Sequence, residues 1–278
     1  MKNDLYLIMI LIFLMIIGSN INAQNNSNGN EDEEYEIYDL VSPKTLEIDN
    51  EFYLEVTKYG QKMSPKLTEN IVIKDITFPS ITFRYGVIKN FEIQLNTGYR
   101  GINAENTFLL DTKGQKKINI TGNISGLSNL SFGFKAGLFS EKAYTPSIAI
   151  TSLVTLPKVG HPAFQSENPG LDLTLNLYKS LGNNFDFGFD LGGIWNGSDE
   201  YPTYVYNISP SVYASDDLSF FAELTGYLTY NSKTDNRIDG GIDYTFSDYF
   251  EGQFLIGTSF QIKKLFFIGA SLSVTIPF

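Results

Sequence analysis

The chain has 278 residues, with no cysteine, one His, one Trp, 22 Phe, 17 Tyr, 24 Gly and a formal net charge of −11. Without thiols there are no disulfides, thiolate metal sites or cysteine-linked lipid. The acidic balance argues against nucleic acid, or an anionic membrane surface, held by a basic patch.

The first predicted element is a targeting signal. Lys2 supplies a sparse positive charge, Leu5–Ile17 is an almost unbroken apolar run, and Gly18–Ala23 turns small and polar. That order predicts a cleaved secretory signal peptide over residues 1–23. The run falls short of the roughly 20 residues that a spanning helix needs. Residues 24–46 are predicted to be a disordered leader, because Gln24–Glu36 is Asn/Ser/Gly-rich, then acidic, with too little apolar surface to bury. Its Glu31–Glu34 and Glu36 cluster fits a solvated acidic tail better than a Ca²⁺ site.

Over residues 47–278 the pattern has period two. Strands are expected near 51–59, 78–87, 91–99, 128–139, 146–156, 170–179, 185–195, 202–213, 218–230, 235–246, 250–260 and 265–278. Leu171, Leu173, Leu175 and Leu177 alternate with Asp172, Thr174 and Asn176. Phe185, Phe187, Phe189 and Leu191 alternate with Asp186, Gly188 and Asp190, and the run from Phe266 to Phe278 behaves the same way. Such alternation gives a strand two chemically opposite faces, whereas a helix would scramble them. Most of these segments are longer than the 5–6 residues usual in soluble strands and suit a tilted membrane strand of about 9–11.

Ile88–Asn90, Ser180–Asn184, Ala214–Asp217 and Ser247–Tyr249 are tight turns rich in Asn, Asp, Ser and Gly. They follow even-numbered strands, while the long connections 60–77 and 100–127 follow odd-numbered ones. Short periplasmic turns and longer outer loops are the barrel asymmetry, so an even strand count puts both termini in the periplasm. The 28-residue connection Arg100–Leu127 is the candidate for an inward-folded constriction or for surface display. Aromatics fall at strand ends: Phe91, Phe185, Phe250 and Phe278 on one rim, Tyr99, Trp195, Tyr204 and Phe266 on the other. The reading is therefore all-β, a single antiparallel transmembrane β-barrel of about 12 strands in the outer membrane of a diderm bacterium. A sheet in hydrocarbon must close, since an open edge leaves backbone groups unsatisfied. The alternative is a soluble secreted β-sandwich or barrel.

The segments GLSNLSFGFKAGLFS (Gly126–Ser140), TPSIAITSLVTLPKVG (Thr145–Gly160) and GLDLTLNLYKSLGNNFDFGFDLGGIWNG (Gly170–Gly197) form one series, continued by Arg237–Phe260 and the terminal SLSVTIPF. Over about residues 75–278 the chain resembles the outer-membrane transporter family named after the meta-pathway of phenol degradation. The terminal Phe278 after alternating apolar residues also resembles the sorting signal of the outer-membrane assembly machinery, which implies that machinery as a partner during biogenesis. These motifs are hairpin glycines and turn polars, so the resemblance implies architecture and a transporter role without implying a solute or site residues.

The face opposite the apolar one carries the candidate chemistry. The lumen-facing set is Arg84, Glu92, Lys135, Asp172, Asp186, Asp190, Glu223, Asp239, Asp243 and Glu251, joined by Glu51 and Glu55. Arg84 and Lys135 are the cations expected to oppose the acids within the strands. Buried charges need partners, so water or ions must enter this interior. An acidic lumen disfavours anions and admits cations or neutral polar solutes. Phe139, Leu153, Tyr178, Phe221, Tyr227, Leu255 and Phe267 break the polar pattern and could form an apolar pocket, although such aromatics are more often packing. The expected function is passage of a small solute through a lipid-embedded barrel, without cofactor or metal. The alternatives are a closed structural or surface-interaction barrel and an outer-membrane lipid hydrolase. The single histidine, His161, lies in the loop KVGHPAF, away from any alternating strand, so no enzyme is expected.

Overall fold

A computed structural model of the chain describes residues 40–278 except 65–66, 111–115, 183, 198, 231, 233 and 262–264. The expected signal peptide and the leader as far as residue 39 lie outside the described residues. All regular structure in the described part is strand: β1 (Thr45–Ser64), β2 (Leu67–Ile88), β3 (Phe91–Leu110), β4 (Lys116–Leu127), β5 (Ser131–Phe139), β6 (Ser147–Thr155), β7 (Gly170–Ser180), β8 (Phe185–Trp195), β9 (Thr203–Ser215), β10 (Leu218–Leu228), β11 (Asp235–Ser247), β12 (Phe250–Ser259) and β13 (Leu265–Pro277). The pairing is antiparallel throughout, and β1 closes onto β13 from Thr45↔Pro277 to Thr57↔Leu265.

β4 and β5 share one position in the ring. β3 pairs with β5 through Phe91–Asn96 and with β4 through Tyr99–Leu110. The thirteen strands thus build a closed barrel of twelve positions, and the antiparallel twelve-stranded expectation holds. Closure satisfies the backbone of every strand where the wall meets lipid.

Burial is inverted relative to a soluble domain. Among the described residues the buried apolar set is Val41, Val56, Ala149, Leu265 and Phe267. The buried polar set is larger: Thr45, Thr57, Arg84, Glu92, Lys135, Ser147, Asp186, Ser219 and Ser259. Leu171, Leu173 and Leu175 on β7, Phe254 and Ile256 on β12, and Phe266, Leu272 and Ile276 on β13 are all exposed. A sandwich would bury these side chains, so the soluble alternative fails on this point. Tyr99, Trp195, Tyr204 and Phe266 at one rim, and Phe250 and Phe278 at the other, are exposed as a girdle requires.

The two long connections are corrected by the structure. β1, β2 and β3 run 20, 22 and 20 residues, against 9–13 for β5–β13. Residues 60–77 are strand apart from the undescribed 65–66, and Arg100–Leu127, apart from the undescribed 111–115, is the rest of β3 paired with β4 from Tyr99↔Leu127 to Leu110↔Lys116. The proposed inward constriction is therefore a β-hairpin arm. β13 leaves β1 after Thr57, so β1–β4 continue past their neighbours as a four-stranded sheet. Beyond a bilayer both faces of a strand are wet, so polar residues occupy both and the alternation weakens. A trace of it survives in Ile118, Ile120 and Ile124.

Two smaller departures lie at the other rim, where Leu40 and Phe278 both sit. β1 starts at Thr45, six residues before the expected 51, since Leu46 and Ile48 already alternate with Glu47 and Asp49. The last residues of the leader dock on the barrel. Val41 is buried and its N–H donates to Glu92 Oε2 at 2.7 Å, while Lys44 N–H donates to Gly86 O at 2.7 Å. A Cβ on Gly86 would stand 2.1 Å from Ser42 O, so the close approach depends on glycine. At β5 an irregularity between Gly137 and Phe139 places Phe139 opposite Ile148, and it is 64% exposed. Phe139 therefore belongs to the outer face and not to the inner apolar set, because a bulge flips the faces that strict alternation assigns.

Candidate functional site: the barrel lumen

The inner face is identified by contacts that cross the ring. Arg237 on β11 hydrogen-bonds Glu55 on β1 at 2.8 Å, over the intervening β12 and β13, a reach possible only on the concave side of the wall. Strand register then carries this face around the barrel. Arg237, Asp239 and Asp243 share it on β11; Asp239 pairs with Glu223 and Asp243 with Gln253, two residues from Glu251. Farther round, Asn207↔Asp190, Asp190↔Asn176, Asp172↔Leu153, Thr151↔Lys135 and Lys135↔Glu92 continue it, with Asp186 opposite Ser211. Arg84 completes the circuit opposite Glu47. All ten lumen-facing candidates lie on this one face.

At the terminal mouth Arg84 and Glu92 are buried and paired. Glu92 is fully buried and accepts from Arg84 Nε at 2.9 Å, Arg84 Nη2 at 3.2 Å, Gln94 Nε2 at 2.7 Å and Val41 N–H. Arg84 Nη1 also donates to Glu47 at 2.7 Å. Beside this cluster a cavity of about 480 Å³ is lined by Glu47, Asp49, Glu51, Asp243, Asp248 and Glu251, with Arg84 as the one cation. Lys135 is buried at the edge of a second, 130 Å³ cavity shared with Asn176, Tyr178 and Asp190.

Several of the lumen acids accept hydrogen bonds from neutral side chains. Thr174 donates to Asp172 at 3.0 Å, Asn176 to Asp190 at 2.8 Å, and Tyr178 to Asp186. Ser219 and Gln253 donate to Asp243 at 3.2 and 2.9 Å, and Asn207 to Glu223 at 3.4 Å. Asp239 Oδ1 is buried and has no hydrogen-bond partner among the described residues. Glu223 and Asp239, directly opposite one another, form no ion pair among the described residues.

The far half contains a cation that the sequence reading missed. Arg237 donates through Nε to Asp235 at 2.9 Å and through Nη1 to Glu55, and lies over Tyr227 and Phe267. Its signal was available, since Arg237 has the parity of Asp239 and Asp243. Arg100 pairs with Asp75 and lies over Phe164 of the 156–169 loop. Of the inner apolar candidates, Phe221 and Phe267 lie against glycines. A Cβ on Gly241 would meet the Phe221 ring, and one on Gly257 the Phe267 ring at 2.3 Å. Rings seated on glycines are part of the wall. His161 is also a structural anchor: its N–H donates to Leu127 O at 2.8 Å and its Nδ1 accepts from Ala163 N–H at 3.2 Å.

Comparison with known proteins agrees with this architecture. The family model described as "Putative MetA-pathway of phenol degradation" matches residues 77–278. No curated protein matches the sequence. An outer membrane channel from Pseudomonas putida F1 superposes with a TM-score of 0.57 at 12% identity, covering 90% of this chain and 100% of that one. A Pseudomonas aeruginosa FadL homologue matches at TM-score 0.42 and 8% identity over 84% of this chain and 90% of that one. The Ralstonia pickettii toluene transporter matches at 0.40 and 8% over 85% and 89%. Of these three, the first alone exceeds 0.5, and at its identity it bears on fold and not on cargo. The fold is that of an outer-membrane channel barrel.

Proposed function

The chain belongs to the MetA-pathway phenol-degradation family, and from that premise we propose that it is a narrow outer-membrane conduit for small solutes, with an acidic lumen that favours cations and neutral polar molecules over anions. One observation carries the selectivity: Glu223 and Asp239 face each other across β10 and β11, next to Asp243, with no described ion pair. Like charges at cross-strand separation, about 5 Å, repel by about 3 kcal/mol at an effective dielectric of 20. Mobile water and cations relieve that repulsion, and a sealed apolar interior would not. The seating of Phe221 and Phe267 on glycines supports wall packing over an apolar substrate pocket.

In this reading the rim carrying Leu40 and Phe278 faces the periplasm and the β1–β4 arm faces outward, following the rule of short inner turns and longer outer segments. Phe278 would then present the end read by the assembly machinery. The protein is not a hydrolase in this reading, because the His161 ring nitrogen already serves its own loop.

The test is reversal potential and solute entry in proteoliposomes. Wild-type protein should pass small cations and neutral polar solutes in preference to anions. Glu223→Gln combined with Asp239→Asn should lower the cation preference while leaving heat-shifted gel mobility unchanged. A folded wild-type barrel that passes nothing would favour the closed structural alternative. An unchanged ion preference in the double variant would remove these carboxylates from the filter.

A further inference from the structure

The surroundings of Arg237 resemble a binding site more than a simple ion pair. Two carboxylates approach its guanidinium from different strands, Asp235 Oδ2 at 2.9 Å and Glu55 Oε2 at 2.8 Å. Two rings flank it, with the guanidinium carbon 5.4 Å from the Tyr227 centroid and 5.9 Å from that of Phe267. Both distances are within the roughly 6 Å over which a cation is attracted to a ring face.

Much of this cradle is held by groups other than Arg237. Phe267 is buried against Gly257, where any Cβ would strike its ring, and Tyr53 packs on it at 5.5 Å. Asp235 accepts from Ser259 Oγ at 2.6 Å, and Glu55 from Thr57 Oγ1 at 3.4 Å. Phe267, Asp235 and Glu55 therefore have supports of their own besides the arginine.

The contact also bridges a quarter of the wall on its inner side. β11 and β1 are three strand steps apart in a ring of twelve, a quarter of the circumference. Steps of about 4.8 Å make this an arc of about 14 Å. Glu55 also acts electrostatically on Arg100, which carries the charged belt on toward the 156–169 loop.

Resting on the conduit reading, we propose that Glu55, Asp235, Tyr227 and Phe267 form a site for guanidinium-type organic cations, that the Arg237 side chain is its resident occupant, and that this occupancy restricts passage through the far half of the lumen. Planar, weakly hydrated guanidinium suits paired acids and ring faces, whereas a strongly hydrated sodium ion does not. A tethered group acts at millimolar or higher effective concentration, so free guanidinium would fill the site left by its removal only in that range.

The experiment is bilayer current through protein purified from outer membranes, with heat-shifted gel mobility as the fold control. Arg237→Ala should conduct several-fold more than wild type. Millimolar guanidinium chloride should return the variant toward the wild-type current, while equal sodium chloride does not. Wild-type current should not respond to guanidinium, its site being filled. Glu55→Gln, which breaks only the far end of the contact, should also raise the current. It decides the matter if Arg237→Ala does not fold. Conductance equal to wild type in the folded variants, or an increase in Arg237→Ala that guanidinium cannot reverse, would overturn the proposal and leave the conduit standing. Silence of both wild type and variants would overturn the conduit reading itself.

Discussion

Leu173→Arg is expected to destabilise the barrel by about 2–4 kcal/mol if Leu173 sits at mid-bilayer depth, the cost of placing a cation on the lipid face. Its neighbour Asp172→Arg should cost far less and act mainly on ion preference. Leu173 lies on β7 between Leu171 and Leu175, and all three point outward and are exposed. Asp172 pairs with Leu153 and Ile194 and accepts from Thr174 Oγ1 on the opposite face. Adjacent residues of one strand therefore sample two solvents. An arginine replacing Leu173 must snorkel or draw water into the hydrocarbon, whereas one replacing Asp172 enters an acidic, hydrated interior. Urea unfolding of the lipid-embedded protein measures both. Equal losses would contradict the inside and outside faces assigned to β7, and with them the register of the ring.

Glu92→Ala should cost about 3 kcal/mol, at the lower end of what removing one partner from a buried pair usually costs. Glu92 has no exposed surface and gathers Arg84, Gln94 and the Val41 N–H on two oxygens. Truncation leaves the buried Arg84 guanidinium still paired with Glu47, which keeps the loss below the upper limit. Glu92→Gln retains the shape and one acceptor and should lose less. Glu92→Ala also frees the N–H of Val41, so protease sensitivity near residue 41 should rise in that variant. A loss under about 1 kcal/mol would mean that water reaches Arg84 and that the terminal mouth is wetter than its burial indicates.

The Leu173 and Glu92 experiments probe different levels of organisation. Leu173 was readable from the chain because alternation is local: with period two, the chemistry of residues 171–177 assigns each side chain to a face without knowledge of its neighbours. The same logic placed Asp186, Asp190, Asp239 and Asp243 on one face. It also marked the hairpin turns, where Asn90 and Gly182 adopt positive φ. It failed at Phe139, where one irregularity at β5 reversed the parity. It failed again along the β1–β4 arm, past the end of β13, where a strand wetted on both faces has nothing to force alternation.

Period and punctuation in the sequence thus determined the class of the protein, the inner and outer faces of its wall and the acidity of its interior, since each depends on residues close together in the chain. The partner of each inner charge was decided by the tertiary structure. Glu55 meets Arg237 across 182 positions, and Val41 reaches Glu92 across 51. Alternation states which way a side chain points, and only closure of the ring fixes what stands opposite it.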